Sequence, residues 1–142
     1  VSGDGFVPPT QPANAPPGAL SQALGLRDAL AGARRMSVTI RFESGQAMVD
    51  SRGIADLERL KLWTRQAGAG KSLTLVGHSS ADGDFGANVV LSRQRAQEVA
   101  NRLRVLGVPV ASVLGVGPSV PVACEGSAEE ANLNRRVEVW VK

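Results

Sequence analysis

SLTLVGHSSADGDFGANVVLSRQRAQEVANRLRVLGVP, from Ser72 to Pro109, is the stretch on which the reading of this chain turns. Ser72 to Val76 reads as a short strand that runs into Gly77 and a polar loop, HSSADGDFG. Asn88 to Leu106 then carries the longest helical pattern in the sequence, ended by Gly107 and Pro109. Strand, polar loop and helix form the unit from which the flanking segments are read.

On the C-terminal side, Val110 to Val116 is a weaker strand, and Gly117 to Ala131 is a Pro/Gly/Ser-rich loop. In the last strand Val137, Val139 and Val141 alternate with Arg136, Glu138, Trp140 and Lys142. On the N-terminal side, Met36 to Glu43 alternates strictly, with Met36, Val38, Ile40 and Phe42 on one face, which predicts a half-buried strand. Ile54 to Ala67 spaces Ile54, Leu57, Leu60 and Trp63 by three and stops at Gly68 to Gly70, which predicts a helix with a glycine terminator. Ala19 to Arg35 places Leu20, Leu24, Leu26 and Leu30 at loose helical intervals, weakened by Gly25 and Gly32. Val1 to Gly18 holds five of the chain's eight prolines and one charge, so it reads as a linker or tail. The expected fold is α+β: a single mixed sheet of about four strands with helices packed on one face. Its parts are a tail over 1–18, a preceding helix over 19–35 and a domain over 36–142. No internal repeat is visible.

The 142 residues, 43% hydrophobic and 20% charged, suit one small domain better than a two-domain enzyme. No run of eighteen apolar residues is present, and the Val1 start suggests a mature or shortened chain. The single Cys124 cannot form an internal disulfide, and one His cannot complete a Cys-rich metal cluster. The net charge of +3 has a location: Gly86 to Leu106 carries four arginines against one glutamate, and the remainder balances 12 basic with 12 acidic residues.

Several motifs resemble chemistry without its context. GAGKS (Gly68 to Ser72) lacks the first glycine of a phosphate loop, whose place is Arg65, and lies after a helix and before a strand, the reverse of what a phosphate loop needs. GHSSA (Gly77 to Ala81) sets Ser79 at the nucleophile place of a hydrolase elbow, but Ala81 replaces the second glycine and the only histidine, His78, lies inside the motif. Asp82, Asp84 and Asn88 lack a closing glutamate for calcium, that place being Arg93. The helix arginines split between opposite faces, which argues against nucleic acid. No cofactor and no metal are expected.

Arg95 is the anomaly. At about 100° per residue Leu91, Ala96, Val99, Leu103 and Leu106 span an arc of roughly 140°, and Arg95 falls within it. Arg135 shares the face of Val137, Val139 and Val141. A guanidinium turned toward a core must find a partner. That partner is either a protein carboxylate such as Glu43, Asp82 or Asp84, or a ligand carboxylate bound in bidentate geometry. Arginine and carboxylate with serine hydroxyls between them would receive an amino-acid zwitterion.

The same residues carry a family resemblance. GHSSADG (Gly77 to Gly83), Asn88, LSRQRA (Leu91 to Ala96), Val99, Leu103, LGV (Leu106 to Val108), GVG (Gly115 to Gly117), Pro121 and NRRVEV (Asn134 to Val139) resemble the OmpA-like C-terminal domain, also found in Pal lipoproteins and in the flagellar stator protein MotB. RFESG (Arg41 to Gly45) resembles its opening strand, and the resemblance covers Met36 to Lys142. Ala19 to Arg35 is similar to the helix that often precedes the domain. The resemblance implies a periplasmic, non-enzymatic module that holds peptidoglycan by the diaminopimelate of its stem peptide, in the envelope of a Gram-negative bacterium. It implies that Arg95 grips the ligand carboxylate, that Arg135 lies at the same site and that Phe42 and Leu91 line it. The family loop is G-H-T-D, whose aspartate takes the ammonium; Ser80 stands there, beside Ser79. Asp82 or Glu43 is the expected substitute, since an ionised acceptor is about twice as strong as a neutral one. The expected partner is peptidoglycan, with no nucleic acid, a membrane only through an anchor or another domain, and room for a homodimer. The alternative is an assembly module that kept the fold and lost the ligand, in which case an internal carboxylate should saturate Arg95.

Overall fold

A computed structural model describes residues 19–123 and 125–142. The linker expected over 1–18, and Cys124, lie outside them. The element order is α1 (Ala19–Ala29), β1 (Arg34–Arg41), α2 (Ser51–Gln66), β2 (Leu73–Gly77), α3 (Phe85–Val105), β3 (Ser112–Gly115), α4 (Ala128–Asn134) and β4 (Arg136–Val141). The strands make one mixed sheet in the order β1-β4-β2-β3. β4 runs antiparallel to both β1 and β2, and β2 runs parallel to β3 across the α3 crossover.

The alternation in β1 does what its period dictates. Met36, Ile40 and Phe42 are buried on one face, joined there by Leu73, Leu75, Val137, Val139 and Val141 from the other strands. Leu57 and Leu60 of α2 and Ala96, Val99, Ala100 and Leu103 of α3 close over them. Each large aliphatic side chain so buried contributes about 1.5–3 kcal/mol. On the opposite face, Leu26 and Leu30 from the α1 segment pack with Ala33, Val76, Val116 and Trp140 in a smaller cluster.

Three elements depart from the sequence expectations. The first helix stops at Ala29 and not Arg35, because Arg34 and Arg35 pair with Val141 and Trp140 in the β ladder. The stretch expected to be loop as far as Ala131 contains the start of α4; Ser127 caps it by accepting from the Glu130 amide at 3.2 Å. All six residues of β4 are buried, since β4 is an inner strand covered on both faces.

α3 presses directly onto the sheet at Gly77. A Cβ there would sit 1.8 Å from the carbonyl oxygen of Ser92, so only glycine lets strand and helix approach this closely. Ser92 then bonds the Gly117 amide through its hydroxyl at 2.9 Å, tying α3 to the segment after β3.

Candidate functional site

The loop after β1, the loop after β2, the N-terminal half of α3 and the α4–β4 junction meet at one end of the sheet. Asp84 fixes the start of α3 by accepting from the Ala87 amide at 2.8 Å. Arg95, about three turns further on, is 1% exposed. Its Nε donates to the Gln46 carbonyl at 2.8 Å, Nη1 to the His78 carbonyl at 3.3 Å and Nη2 to the Glu43 carbonyl at 3.1 Å. Its Cζ lies 5.4 Å from the centre of the Phe42 ring. One guanidinium thus clamps two loops, and of its five N–H groups one on each Nη is not engaged in these bonds.

No carboxylate pairs with Arg95 among the described residues. Its close charged neighbour is another cation. Burial, with the Arg135 charge beside it, pulls the Arg95 pKa down to about 10, so Arg95 remains charged at neutral pH. Arg135 precedes β4 and does not belong to it: it ends α4, and its carbonyl accepts from the Phe42 amide at 2.9 Å. Its guanidinium bonds Asn132 Oδ1 and lies 3.5 Å from Asp82.

The remaining residues singled out from sequence fall around this cluster in different ways. Leu91 is half-buried one turn before Arg95. Glu43 contributes its carbonyl, while its side chain is on the exposed turn. Asp82 carries a largely exposed carboxylate and accepts from Asn88 through its carbonyl at 2.6 Å. Ser79 and Ser80 are buried; the Ser79 amide donates to the Gly117 carbonyl at 3.0 Å and its hydroxyl to the Ser80 carbonyl at 3.0 Å. The only histidine turns away from Ser79, so it cannot act as its base.

Two participants were not identified from sequence. Glu125 receives the Ala81 amide on both carboxylate oxygens, at 2.9 and 3.0 Å. Asn134, fully buried, donates to Glu125 at 2.7 Å and accepts from the Val122 and Ala123 amides at 2.8 and 3.2 Å. The 78–82 loop is therefore gripped at His78 by Arg95, at Ala81 by Glu125 and at Asp82 by Arg135. Asn134 stands within the motif NRRVEV and was open to suspicion as a buried amide; nothing local marks Glu125.

A second polar cluster lies on the other face. Glu138 accepts from Arg136 Nε at 2.9 Å and Trp140 Nε1 at 3.1 Å, with Arg35 at 3.5 Å. His78 Nε2 is 3.5 Å from Glu138 Oε1, without the alignment of a hydrogen bond. Burial and the Arg136 charge push the His78 pKa down. Burial opposes ionisation of Glu138, but His78 and Arg136 outweigh it and hold its carboxyl well below the usual carboxylate range.

Fold and site together define a small α+β domain with a paired-arginine cluster at the end of its sheet. A profile of the OmpA family matches residues 41–135, and the chain belongs to that family. It is 33% identical over 118 residues to outer membrane porin F of Pseudomonas aeruginosa, covering 80% of this chain and 33% of that one. The peptidoglycan-associated lipoprotein of Burkholderia pseudomallei shares the fold, with a TM-score of 0.68 at 21% identity over 93% of this chain and 100% of that one. The cell wall anchor of the T6SS from Pseudomonas aeruginosa aligns with a TM-score of 0.57 at 28% identity over 84% of this chain and 95% of that one. The chain spans between a third and a half of the length of the curated relatives it matches, 33% to 48%. No helix among the described residues is long and apolar enough to cross a membrane.

Proposed function

We propose that this domain binds peptidoglycan noncovalently and without catalysis, through the free end of the stem-peptide diaminopimelate, and so holds an envelope protein to the cell wall on the periplasmic side. The observation that carries the reading is Arg95 itself: a buried guanidinium held by three backbone carbonyls, with the Arg135 charge beside it and, among the described residues, no carboxylate on it. Such a group is relieved by an anion, and a planar carboxylate matches the unengaged Nη donors of Arg95. Family membership and the likeness to the cell wall anchor of the Pseudomonas aeruginosa T6SS support the wall as the ligand's source. In this reading Ser79, Ser80, Asp82, Phe42, Glu43 and Leu91 are the remaining residues that would line the ligand site.

An assembly module without ligand predicts a carboxylate on Arg95, and the three carbonyls found there do not supply one. The test is co-sedimentation with diaminopimelate-type sacculi. The native domain should pellet and Arg95→Ala should stay in solution; absence of the native domain from the pellet, or an equal amount of the variant in it, sinks the reading.

A further inference from the structure

Among the described residues, Glu125 is held without a cation. Asp82 is 3.5 Å from Arg135, and Asp84 caps α3. The Glu125 carboxylate is half-buried, and no Lys, Arg or His lies within ion-pair distance of it among the described residues. Its three bonds come from neutral amides, the Ala81 N–H to each oxygen and Asn134 Nδ2 to Oε2. A carboxylate has about four lone-pair sites, so it keeps acceptor capacity. Asn134 is fixed by the Val122 and Ala123 amides and cannot turn its own oxygen toward Glu125, which holds the carboxylate in place.

The position of Glu125 is as informative as its partners. It is bonded to the residue that follows Ser80, and its anchor Asn134 adjoins Arg135. A fixed anion is therefore bonded to the same 78–82 loop that Arg95 holds at His78 and Arg135 at Asp82. We infer that Glu125 is the anionic acceptor for the ammonium of a zwitterionic ligand, standing in from a different loop for a carboxylate that position 80 lacks. The inference rests on the peptidoglycan reading and names the residue that selects an unmodified amino group. Asp82 is the poorer acceptor because Arg135 already holds it and its side chain is largely exposed.

The test is calorimetric titration of the full chain with a stem tripeptide ending in meso-diaminopimelate, and with the same peptide acetylated on its free side-chain amino group. Native protein should prefer the unmodified peptide by at least about tenfold, as loss of a charge-assisted contact implies. Glu125→Gln should bind the unmodified peptide about as weakly as native protein binds the acetylated one, and should no longer distinguish the two. Ser80→Asp in that background should restore the preference. A purely structural Glu125 would lower both affinities and leave the preference intact, which would overturn the inference, as would native-like binding by Glu125→Gln. Failure of native protein to bind either peptide overturns the peptidoglycan reading and this one with it. Should the variant not fold, the native Ala81 amide resonance decides: it should shift with the free-amine peptide and not with the acetylated one, and an unmoved resonance refutes the assignment.

Discussion

His78 serves Arg95 with its carbonyl, at 3.3 Å, while turning its imidazole through the sheet to the buried Glu138 cluster. One residue at the end of β2 thus belongs to the candidate site by its backbone and to an ion cluster on the other face by its side chain. Whatever loosens that cluster frees a carbonyl that positions Arg95.

The pH dependence of stability follows from this cluster. The His78 pKa is lower folded than its ordinary 6.5, so as pH falls below that value the unfolded chain takes up the proton first. The contribution is fully present above pH 6.5 and is lost progressively below it. Glu138, also depressed, adds stability above its ordinary 4.5 that is lost as pH falls further. The thermal midpoint should therefore fall between pH 7 and 5, and His78→Gln should flatten that interval in calorimetric scans. Identical slopes for both proteins would contradict the assignment.

Within the cluster, partners differ sharply in weight. Glu138→Gln leaves buried Arg136 without its charge partner and should cost about 3–5 kcal/mol in urea unfolding. Arg35→Ala removes a partner 3.5 Å away whose side chain is 37% exposed, and should cost under about 1 kcal/mol.

Two glycines should respond in opposite directions. Gly77→Ala drives a methyl into the Ser92 carbonyl and must lift α3, at a cost of about 3 kcal/mol or more, and should weaken ligand binding by moving Arg95. Gly25→Ala, in α1 with nothing within 4 Å of the added carbon, should stabilise by up to about 1 kcal/mol.

These contrasts mark where the sequence was and was not readable. The period of two in Met36 to Phe42 and the apolar arc of α3 were legible because each is local, and Arg95 stood out as a charge inside that arc. α4 was hidden by composition: Gly, Ser and Pro suggested loop, although Ser127 and Glu130 form a capping pair three residues apart. Arg136 and Glu138 look like a solvent face and are buried because they neutralise one another, which alternation alone does not disclose. Glu125 meets Ala81 across 44 residues, through two loops, and no local pattern encodes such a meeting.

Asn134 should prove the linchpin of that meeting. Asn134→Ala strands the Val122 and Ala123 amides and releases Glu125, so it should cost about 2–3 kcal/mol or more and expose the 118–123 segment to limited proteolysis. Unchanged cleavage kinetics would show that the segment is held by other contacts.

The central claim, that Arg95 receives a ligand carboxylate in a forked geometry, is tested most directly by equilibrium titration of the diaminopimelate-ended tripeptide into native protein and Arg95→Lys. Lysine keeps the positive charge and loses the planar fork, so a drop of at least about tenfold in affinity is predicted while the fold stays intact by circular dichroism. Equal affinity for the two proteins would contradict the account.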